Sequence, residues 1–527
     1  MTSRLLLALA VFLAACAKIV PPDGGDRDTT PPQVLSIEPP DGTVNFAAAQ
    51  IVFTFDEYVQ LSDLNSQLIV SPPLNEQPTT RLKGKQLILS FNEELLPNVT
   101  YTLNFGEGVK DYTEGNPAAL TYVFSTGSFL DSLTFTGKVT DAFTGAPVKG
   151  ARVMLYRDTV ATAPLKQKPY YFARTDEAGN YRLNYLSEGV YRLVALDETN
   201  MNYLYDDPAE RFAYSDSLVA PAAPSDSLVW PLMRMSQAVD TNLYAKSFAS
   251  DSSGYIRVQL NRADPDRELG LAALDSSLAI TTWFELPDSL FGWMDAPAEA
   301  LINIRVASPT SVDTFEVESF RVAPRSLGVR SKPAAQMRAG DTLELRFTRP
   351  IARLDTALME MKRDSTAMEL RVETGKDPFG VQLFASVEDE KKYSITLLPG
   401  AVTSVEGFTN DTLKLSFTTF ATDHFGNLKL KIGEPELEGN ALMQLYQEGK
   451  NEGGIVREWV AAPGSVIELK RLMPGSYKLR MIDDRNRNGR FDPVDYRSGK
   501  QPERVYNLQG EINVRSNWDL DLEWDFD

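Results

Sequence analysis

The chain has 527 residues, 43% of them hydrophobic, and carries 72 acidic against 53 basic side chains for a formal net charge of −19. A field of that sign repels phosphate backbones, so we expect no nucleic-acid partner. Histidine occurs once, as His424, and cysteine once, as Cys16, which leaves little for His-ligated zinc or for a nucleophile paired with histidine. A glycosidase that uses paired carboxylates stays open, since 72 acidic residues always offer pairs, but no spacing selects one. We predict no catalytic residues, no required cofactor and no enzymatic activity.

The first 15 residues have the pattern of a secretory signal. Arg4 precedes an apolar run, residues 5–15, that is too short to span a bilayer as a mature helix. The run leads into LAAC, residues 13–16, which resembles the lipobox of bacterial lipoproteins. That resemblance implies cleavage after residue 15 and acylation of Cys16, which would tether the mature protein to a membrane. The alternative is an ordinary signal peptide followed by an incidental cysteine, although an unpaired cysteine in an exported protein calls for an explanation.

Residues 16–32 are rich in Pro, Gly and Asp and predict an extended tether. The rest of the chain consists of short strand-like runs such as QIVFTF, QLILSF and LTYVFST, separated by turn signals. This pattern is typical of all-β sandwiches. A chain of this length exceeds what one core can fill, so several domains of roughly 100 residues are expected.

Internal similarity locates these domains. A constant offset of 292 relates Phe55 to Phe347 and Tyr101 to Tyr393, and an offset of 286 relates LNYLSEGVYRLVALDETNMNYLYD, residues 183–206, to LKRLMPGSYKLRMIDDRNRNGRFD, residues 469–492. We therefore predict a duplicated pair of domains, 33–128 with 129–237 and 325–422 with 423–527. Between the pairs, residues 238–324 contain strand-like runs such as GYIRVQL and predict a β-rich domain of unknown type, without a counterpart elsewhere in the chain.

Segments of the first pair of domains resemble two known families. The opening DTTPPQVLSIEPPDGTVNF, with IVFTFDEYVQL and the closing VFSTG, resembles the bacterial Ig-like domain found in S-layer proteins. The stretch FTGKVTDAFTGAPVKGARVMLYRD, with ARTDEAGNYRLNYLSEGVYRLVAL, resembles the CnaB or carboxypeptidase regulatory-like family, a transthyretin-like sandwich. The resemblances imply tandem, duplicated sandwiches, but a fold of this kind does not specify a function. The copies at 325–422 and 423–527 are more diverged.

The segment DDRNRNGRFDPVDY, residues 483–496, has alternating oxygen-bearing side chains and a glycine, as in an EF-hand-like calcium loop. Alternate side chains of a tightly turning loop can converge on one cation, and Arg490 would contribute its carbonyl. Three nearby arginines and the absence of flanking amphipathic helices weaken this interpretation. The alternative is a turn whose side chains bond their own backbone. The predicted calcium ligands are Asp484, Asn486, Asn488, Arg490, Asp492 and Asp495.

The first copy carries a second and weaker metal candidate. Tyr203 replaces the glycine and Ala209 replaces Asp495, so we expect poorer loop geometry there, and the alternative is a polar turn with its tyrosines packed on the sandwich. The candidate ligands in this copy are Glu198, Asn200, Asn202 and Asp206.

These observations favour a non-catalytic surface lipoprotein that serves adhesion, envelope organisation or scaffolding. It would be exported and attached through Cys16 to the cell envelope, with the outer membrane of a Gram-negative bacterium as the expected site. Partners would be surface proteins or glycans. Two alternatives stay open: a carbohydrate-binding surface protein, and a hydrolase whose site lies in residues 238–324.

Overall fold

The computed structural model describes residues 28–198, 202–207, 209–223, 232–239, 242–250, 254–264, 266–286, 288–294, 300–319, 327–331, 334–375, 377–447 and 454–526. The predicted signal, Cys16 and most of the predicted tether lie outside these ranges, as does Asn200. Contacts divide the chain into two compact units, Met1–Thr140 with Pro147–Met235 and Asp141–Ala146 with Ser236–Asp527. In the described ranges, no helix has the length and apolar character needed to cross a membrane.

The first domain of unit one is a sandwich with an aromatic core. Alternate residues of its second strand, Ile51, Phe53 and Phe55, are fully buried, as expected for a strand with one face on a core. Strand orders are β1-β2-β6-β5, β4-β7-β9 and β3-β8. The elements are β1 (Val34–Glu38), β2 (Gln50–Phe55), β3 (Val59–Leu61), α1 (Leu64–Gln67), β4 (Ile69–Ser71), β5 (Thr79–Lys83), β6 (Gln86–Ser90), β7 (Thr100–Asn104), β8 (Val109–Asp111) and β9 (Thr121–Ser125).

Residues at the end of the predicted tether already contact this domain. The Asn116 side-chain amide donates to the Asp28 carbonyl over 2.9 Å and to the Thr30 carbonyl over 3.4 Å.

The second domain of unit one forms a sheet in the order β12-β11-β14-β15-β16-β10-β13. Its core is built from one face of the strands and includes Phe135, Val153, Tyr181 and Leu193. The elements are β10 (Leu133–Asp141), β11 (Arg152–Tyr156), α2 (Ala163–Lys166), β12 (Tyr171–Arg174), β13 (Asn180–Leu186), β14 (Arg192–Asp197), β15 (Arg211–Tyr214) and β16 (Met233–Gln237).

Unit two begins with the segment whose type the sequence left open. It forms a four-stranded sheet, β17-β18-β21-β20, and a three-stranded sheet, β19-β22-β23, which share a core that includes Ile256, Val258 and Ile304. The strands are β17 (Ala245–Ser250), β18 (Tyr255–Leu260), β19 (Gly270–Ala273), β20 (Ile280–Leu286), β21 (Ser289–Met294), β22 (Ala300–Ala307) and β23 (Val312–Ser319).

The next domain of unit two has the strand orders β24-β26-β31-β30, β25-β34-β32-β28-β29 and β27-β33. A 3-10 turn spans Thr356–Leu358 and another, Thr422–His424, follows the last strand. The strands are β24 (Val329–Ser331), β25 (Gln336–Met337), β26 (Leu343–Phe347), β27 (Ile351–Leu354), β28 (Met359–Arg363), β29 (Thr366–Met368), β30 (Arg371–Thr374), β31 (Gly380–Phe384), β32 (Lys392–Leu397), β33 (Val402–Ser404) and β34 (Leu413–Thr419).

The last domain has the sheets β38-β35-β42 and β37-β36-β39-β40, and β41 also pairs with β39. The ending NWDLDLEWDFD contributes a core strand, because β42 pairs in parallel with β35 and Trp524 is buried. The strands are β35 (Gly426–Ile432), β36 (Asn440–Tyr446), β37 (Ile455–Ala461), β38 (Val466–Leu472), β39 (Gly475–Asp484), β40 (Val505–Asn507), β41 (Ile512–Val514) and β42 (Asp519–Trp524).

Strand pairing repeats between the copies, and the predicted all-β fold class is confirmed. The order β1-β2-β6-β5 has its counterpart in β24-β26-β31-β30, and β12-β11-β14-β15 in β37-β36-β39-β40. Left-handed backbone positions repeat at the same offsets. Tyr185 and Arg471 both have φ of 58°, and Tyr203 with φ of 65° matches Gly489 with 75°. The first loop thus has a left-handed residue at the position of the glycine, although that residue is a tyrosine.

Asp111 shows how a buried carboxylate shapes a turn in the first domain. Its oxygens accept the backbone N–H groups of residues 113–116 over 2.5–3.0 Å. Burial by itself raises the pKa of Asp111. The four N–H groups outweigh this effect and lower the pKa from its ordinary value of 3.8 to about 2.

We predict that Asp111→Asn destabilises the protein at neutral pH, because an uncharged amide is a poorer acceptor for four N–H groups. A carboxyl whose pKa is lower in the folded state stabilises the fold above its ordinary pKa near 3.8, and this contribution is lost as the pH falls toward about 2. Urea unfolding between pH 7 and pH 2.5 should therefore show the gap between wild type and variant narrowing below about pH 4. A gap that stays constant over this range would contradict the assignment.

Candidate functional site

Two adjacent aspartates end β39 and begin the candidate calcium loop, and both are buried. Asp483 accepts the backbone N–H groups of Gly439 over 2.7 Å and Glu438 over 3.1 Å, which fixes the start of β36. Asp484 turns into the loop instead. Its two oxygens accept the N–H groups of Asn488 over 3.0 Å and Gly489 over 2.8 Å.

The loop side chains converge on Asp492. The Asn486 amide donates to one Asp492 oxygen, and the Asn488 amide lies 3.1 Å from both. The side-chain oxygen of Asn488 accepts the backbone N–H of Arg490 over 3.0 Å. Four of the six predicted ligands therefore lie together and bond to one another and to backbone N–H groups of the loop: Asp484, Asn486, Asn488 and Asp492.

Glu503 completes this cluster and was missed in the sequence. It is buried, and its two oxygens accept the backbone N–H groups of Arg485 over 2.8 Å and Asp492 over 3.0 Å. Burial raises the pKa of Glu503, these two N–H groups lower it in part, and the nearby charges of Asp492 and Asp484 raise it again. The charges of Asp484 and Asp492 thus oppose the ionisation of Glu503.

Two predicted ligands lie differently from the others. The Arg490 guanidinium is 3.7 Å from an Asp492 oxygen, so it adds positive charge beside that carboxylate. Asp495 belongs to the next turn, where it accepts the Ser498 hydroxyl over 2.5 Å, and that bond lowers its pKa. Within the described residues, no group of three or more His, Cys, Asp or Glu side chains is placed to hold a metal ion.

The corresponding loop of the first copy contains a buried ion pair. Arg152 contacts Glu198, and both side chains are almost fully buried. The other Glu198 oxygen accepts the Tyr203 N–H over 2.7 Å, and the Arg152 guanidinium lies 4.9 Å from the Tyr203 ring centre. Of the remaining candidates, the Asn202 amide donates to Asp206 over 2.8 Å.

Strand register identifies which residues correspond. Arg152 pairs with Leu196 as Leu442 pairs with Ile482, so Leu442 stands where the first copy has arginine. Phe212 pairs with Leu196 as Val505 pairs with Ile482, which makes Glu210 the counterpart of Glu503. Glu210 is fully buried too, and its charge raises the pKa of Arg152, opposing the larger lowering by burial. The matching segments AERF and PERV were a signal for these glutamates, at a different offset from the rest of the loop.

We predict that Arg152→Leu, which installs the residue of the second copy, destabilises the first copy by roughly 3–5 kcal/mol because Glu198 is left buried without its partner. Adding Glu198→Gln should recover most of the loss, since the uncompensated charge is removed. Urea unfolding of both variants measures the effect. A double variant no more stable than Arg152→Leu alone would show that packing, and not charge, sets the cost.

Two known protein families match segments of the first pair of domains. Residues 28–126 match the family described as bacterial Ig-like domain. Residues 134–199 match the carboxypeptidase regulatory-like domain. The chain therefore contains these two domains in tandem, as the sequence resemblances implied. Comparison with curated proteins finds no match.

Solved structures of multi-domain β proteins are also similar. Domains 1–6 of the surface layer protein SbsC are 11% identical, with 92% of this chain and 67% of that chain covered and a TM-score of 0.15. The major pilin subunit BcpA of Bacillus cereus is 10% identical, with 75% and 99% covered and a TM-score of 0.14. The MG0-NIE-MG1 domains of Escherichia coli alpha-2-macroglobulin are 13% identical, with 35% and 72% covered and a TM-score of 0.19. TM-scores this low give no basis for transferring a function.

Proposed function

We propose that this protein is a non-catalytic scaffold of the bacterial cell envelope, attached to the outer membrane through acylated Cys16 and presenting its β domains to surface partners. The observation that supports this role best is the packing between consecutive domains inside each unit. A scaffold must keep its domains in fixed relation, and packed, hydrogen-bonded junctions provide this where flexible linkers would not.

In unit one, the junction between the two domains is a direct strand contact. The Phe172 N–H of β12 donates to the Ser71 hydroxyl of β4 over 3.3 Å, and both residues are buried. A buried polar pair of this kind holds one alignment, because sliding the domains would leave its donor without an acceptor.

In unit two, aromatic rings join the first two domains. Trp283, Phe291 and Trp293 project from the face of β20 and β21 that is turned away from their own core, and Phe379 of the next domain packs among them. The Trp283 and Phe379 ring centres are 5.3 Å apart. Burial of several large rings stabilises the junction and orients it.

The next junction of unit two is an ion pair. Both terminal nitrogens of Arg471 donate to Asp389, over 2.6 and 2.7 Å, and the guanidinium lies 4.4 Å from the Phe425 ring centre. Such two-point pairing constrains angle as well as distance.

The alternative of a hydrolase would place its site in residues 238–324, where two of the described acidic side chains, Asp264 and Asp275, accept backbone N–H groups. Asp264 accepts the backbone N–H groups of Glu268 and Leu269, both over 2.9 Å. Asp275 accepts the Ser277 N–H over 2.9 Å. These aspartates stabilise turns.

The lipid anchor predicts where a variant will go. Cys16→Ala should release the protein from the membrane fraction of the native host and abolish incorporation of labelled palmitate, because no thiol remains to carry the acyl chains. Cell fractionation and metabolic labelling measure both. Ser132→Ala, far from the signal, serves as the control. Unchanged membrane retention of the cysteine variant would overturn the anchor.

We further propose that calcium binds the loop of the last domain, held by Asp484, Asn486, Asn488, the Arg490 carbonyl and Asp492. The supporting observation is the first copy, where a buried guanidinium accompanies the corresponding Glu198. The second copy has Leu442 at the arginine position, and its buried carboxyl groups Asp484 and Glu503 accept backbone N–H groups instead. A hard divalent cation suits this set of oxygens.

Calcium should raise the melting temperature of the wild-type protein relative to chelator, by linkage of about 2.7 kcal/mol at a concentration one hundred times the dissociation constant. Asp492→Asn and Asp484→Asn should lose most of this response. Asp495→Asn is the matched control, since Asp495 bonds Ser498 in another turn. Calcium responses that are equal in wild type and Asp492→Asn would leave only a hydrogen-bonded turn.

A further inference from the structure

Unit one contains a groove of about 580 Å³ at the junction of its two domains. One wall comes from the first domain, around α1, β4 and β7, and the other from β12 and β13. The apolar residues Ile69, Tyr171, Leu183 and Leu186 contribute to the lining, but most of the side chains around them are polar.

The groove is cationic in an acidic protein. Its ionisable side chains are Lys149, Arg174 and Arg182 against the single carboxylate Glu107, whereas the whole chain has a net charge of −19. Lys149 also pairs with Glu177 over 2.8 Å at an exposed site. Concentration of arginine in a concave site favours an anionic ligand, and carboxylates match its planar donors.

Neutral side chains of the groove offer hydrogen bonds and an aromatic surface. Asn104, Asn184 and Gln67 present carboxamides, which both donate and accept, and Arg182 is oriented by a 2.9 Å bond from its Nε to the Asn184 carbonyl oxygen. Tyr185 lines the groove with 36% of its surface exposed. Carboxamides beside a half-exposed ring suit a ligand with many hydroxyl groups and apolar C–H faces.

The duplication provides an internal comparison. Tyr185 corresponds to Arg471, and the backbone φ is 58° at both. In the second pair Arg471 crosses the junction between its two domains and pairs with Asp389. The first pair has a tyrosine at this position and an open groove beside it. At this position the second pair thus has a charged side chain that reaches the preceding domain, and the first pair has a ring that lines the groove.

We propose that this groove binds an acidic oligosaccharide, with Arg182 and Arg174 contacting a sugar carboxylate and Tyr185 packing against a sugar ring. An acidic peptide would satisfy the arginines, but it does not need carboxamides on both walls. The lining of the groove includes neither Cys16 nor any residue of the calcium loop. The experiment on the groove therefore tests neither the lipid anchor nor calcium binding.

Titration calorimetry of the full chain with hexamers of galacturonate, mannuronate and hyaluronan tests the proposal, with maltohexaose as the neutral probe and hexaglutamate as the peptide probe. At least one acidic saccharide should bind, and binding should weaken as sodium chloride is raised. Arg182→Ala and Tyr185→Ala should each reduce that affinity tenfold or more, with Arg182→Lys in between.

The matched controls are Arg81→Ala and Tyr112→Ala, two exposed residues outside the groove, which should bind as wild type does. Unchanged melting temperatures establish that the groove variants fold. The proposal is overturned if no acidic hexamer binds at 1 mM, if groove and control variants bind alike, if maltohexaose binds equally well, or if hexaglutamate does.

Discussion

A carboxylate buried at the end of a strand needs positive charge or N–H donors around it, and the two copies of the second domain type meet this need differently. In the first copy Arg152 contacts Glu198 directly. In the second copy Asp484 accepts two backbone N–H groups of the loop, and Glu503 adds another buried carboxyl. Near Tyr203 the first copy thus has a guanidinium, and near Gly489 the second copy has a set of oxygens.

The same divergence occurs where the domains meet. Tyr185 and Arg471 have the same backbone φ of 58°, so this backbone position belongs to the fold that the two copies share. Their side chains differ in consequence: Arg471 joins two domains through Asp389, while Tyr185 borders a cationic groove. Duplication thus preserved strand pairing and changed charged or aromatic residues at loops and junctions, where a new side chain alters binding without disturbing a core.

Much of the fold followed from sequence because local patterns carry it. Alternating burial at Ile51 and Phe53 is a period-2 signal, and constant offsets revealed the copies. The loop ligands Asp484 to Asp492 were also visible, since they are close in sequence. Glu503 was not, because an insertion separates it from the loop and only strand pairing brings it back. Arg152 was missed for a related reason: it lies in an apolar strand, and its partner Glu198 is distant in sequence.

We propose that one copy carries its cation as an arginine and that the other takes a calcium ion. Calorimetric titration of calcium into the chelator-treated full-length protein measures this directly through its stoichiometry. The expected stoichiometry is one calcium ion per chain, because the Arg152 guanidinium already accompanies Glu198 in the first copy. Binding of two ions would show that Arg152 does not take the place of a metal, and no binding would reduce the second loop to a hydrogen-bonded turn.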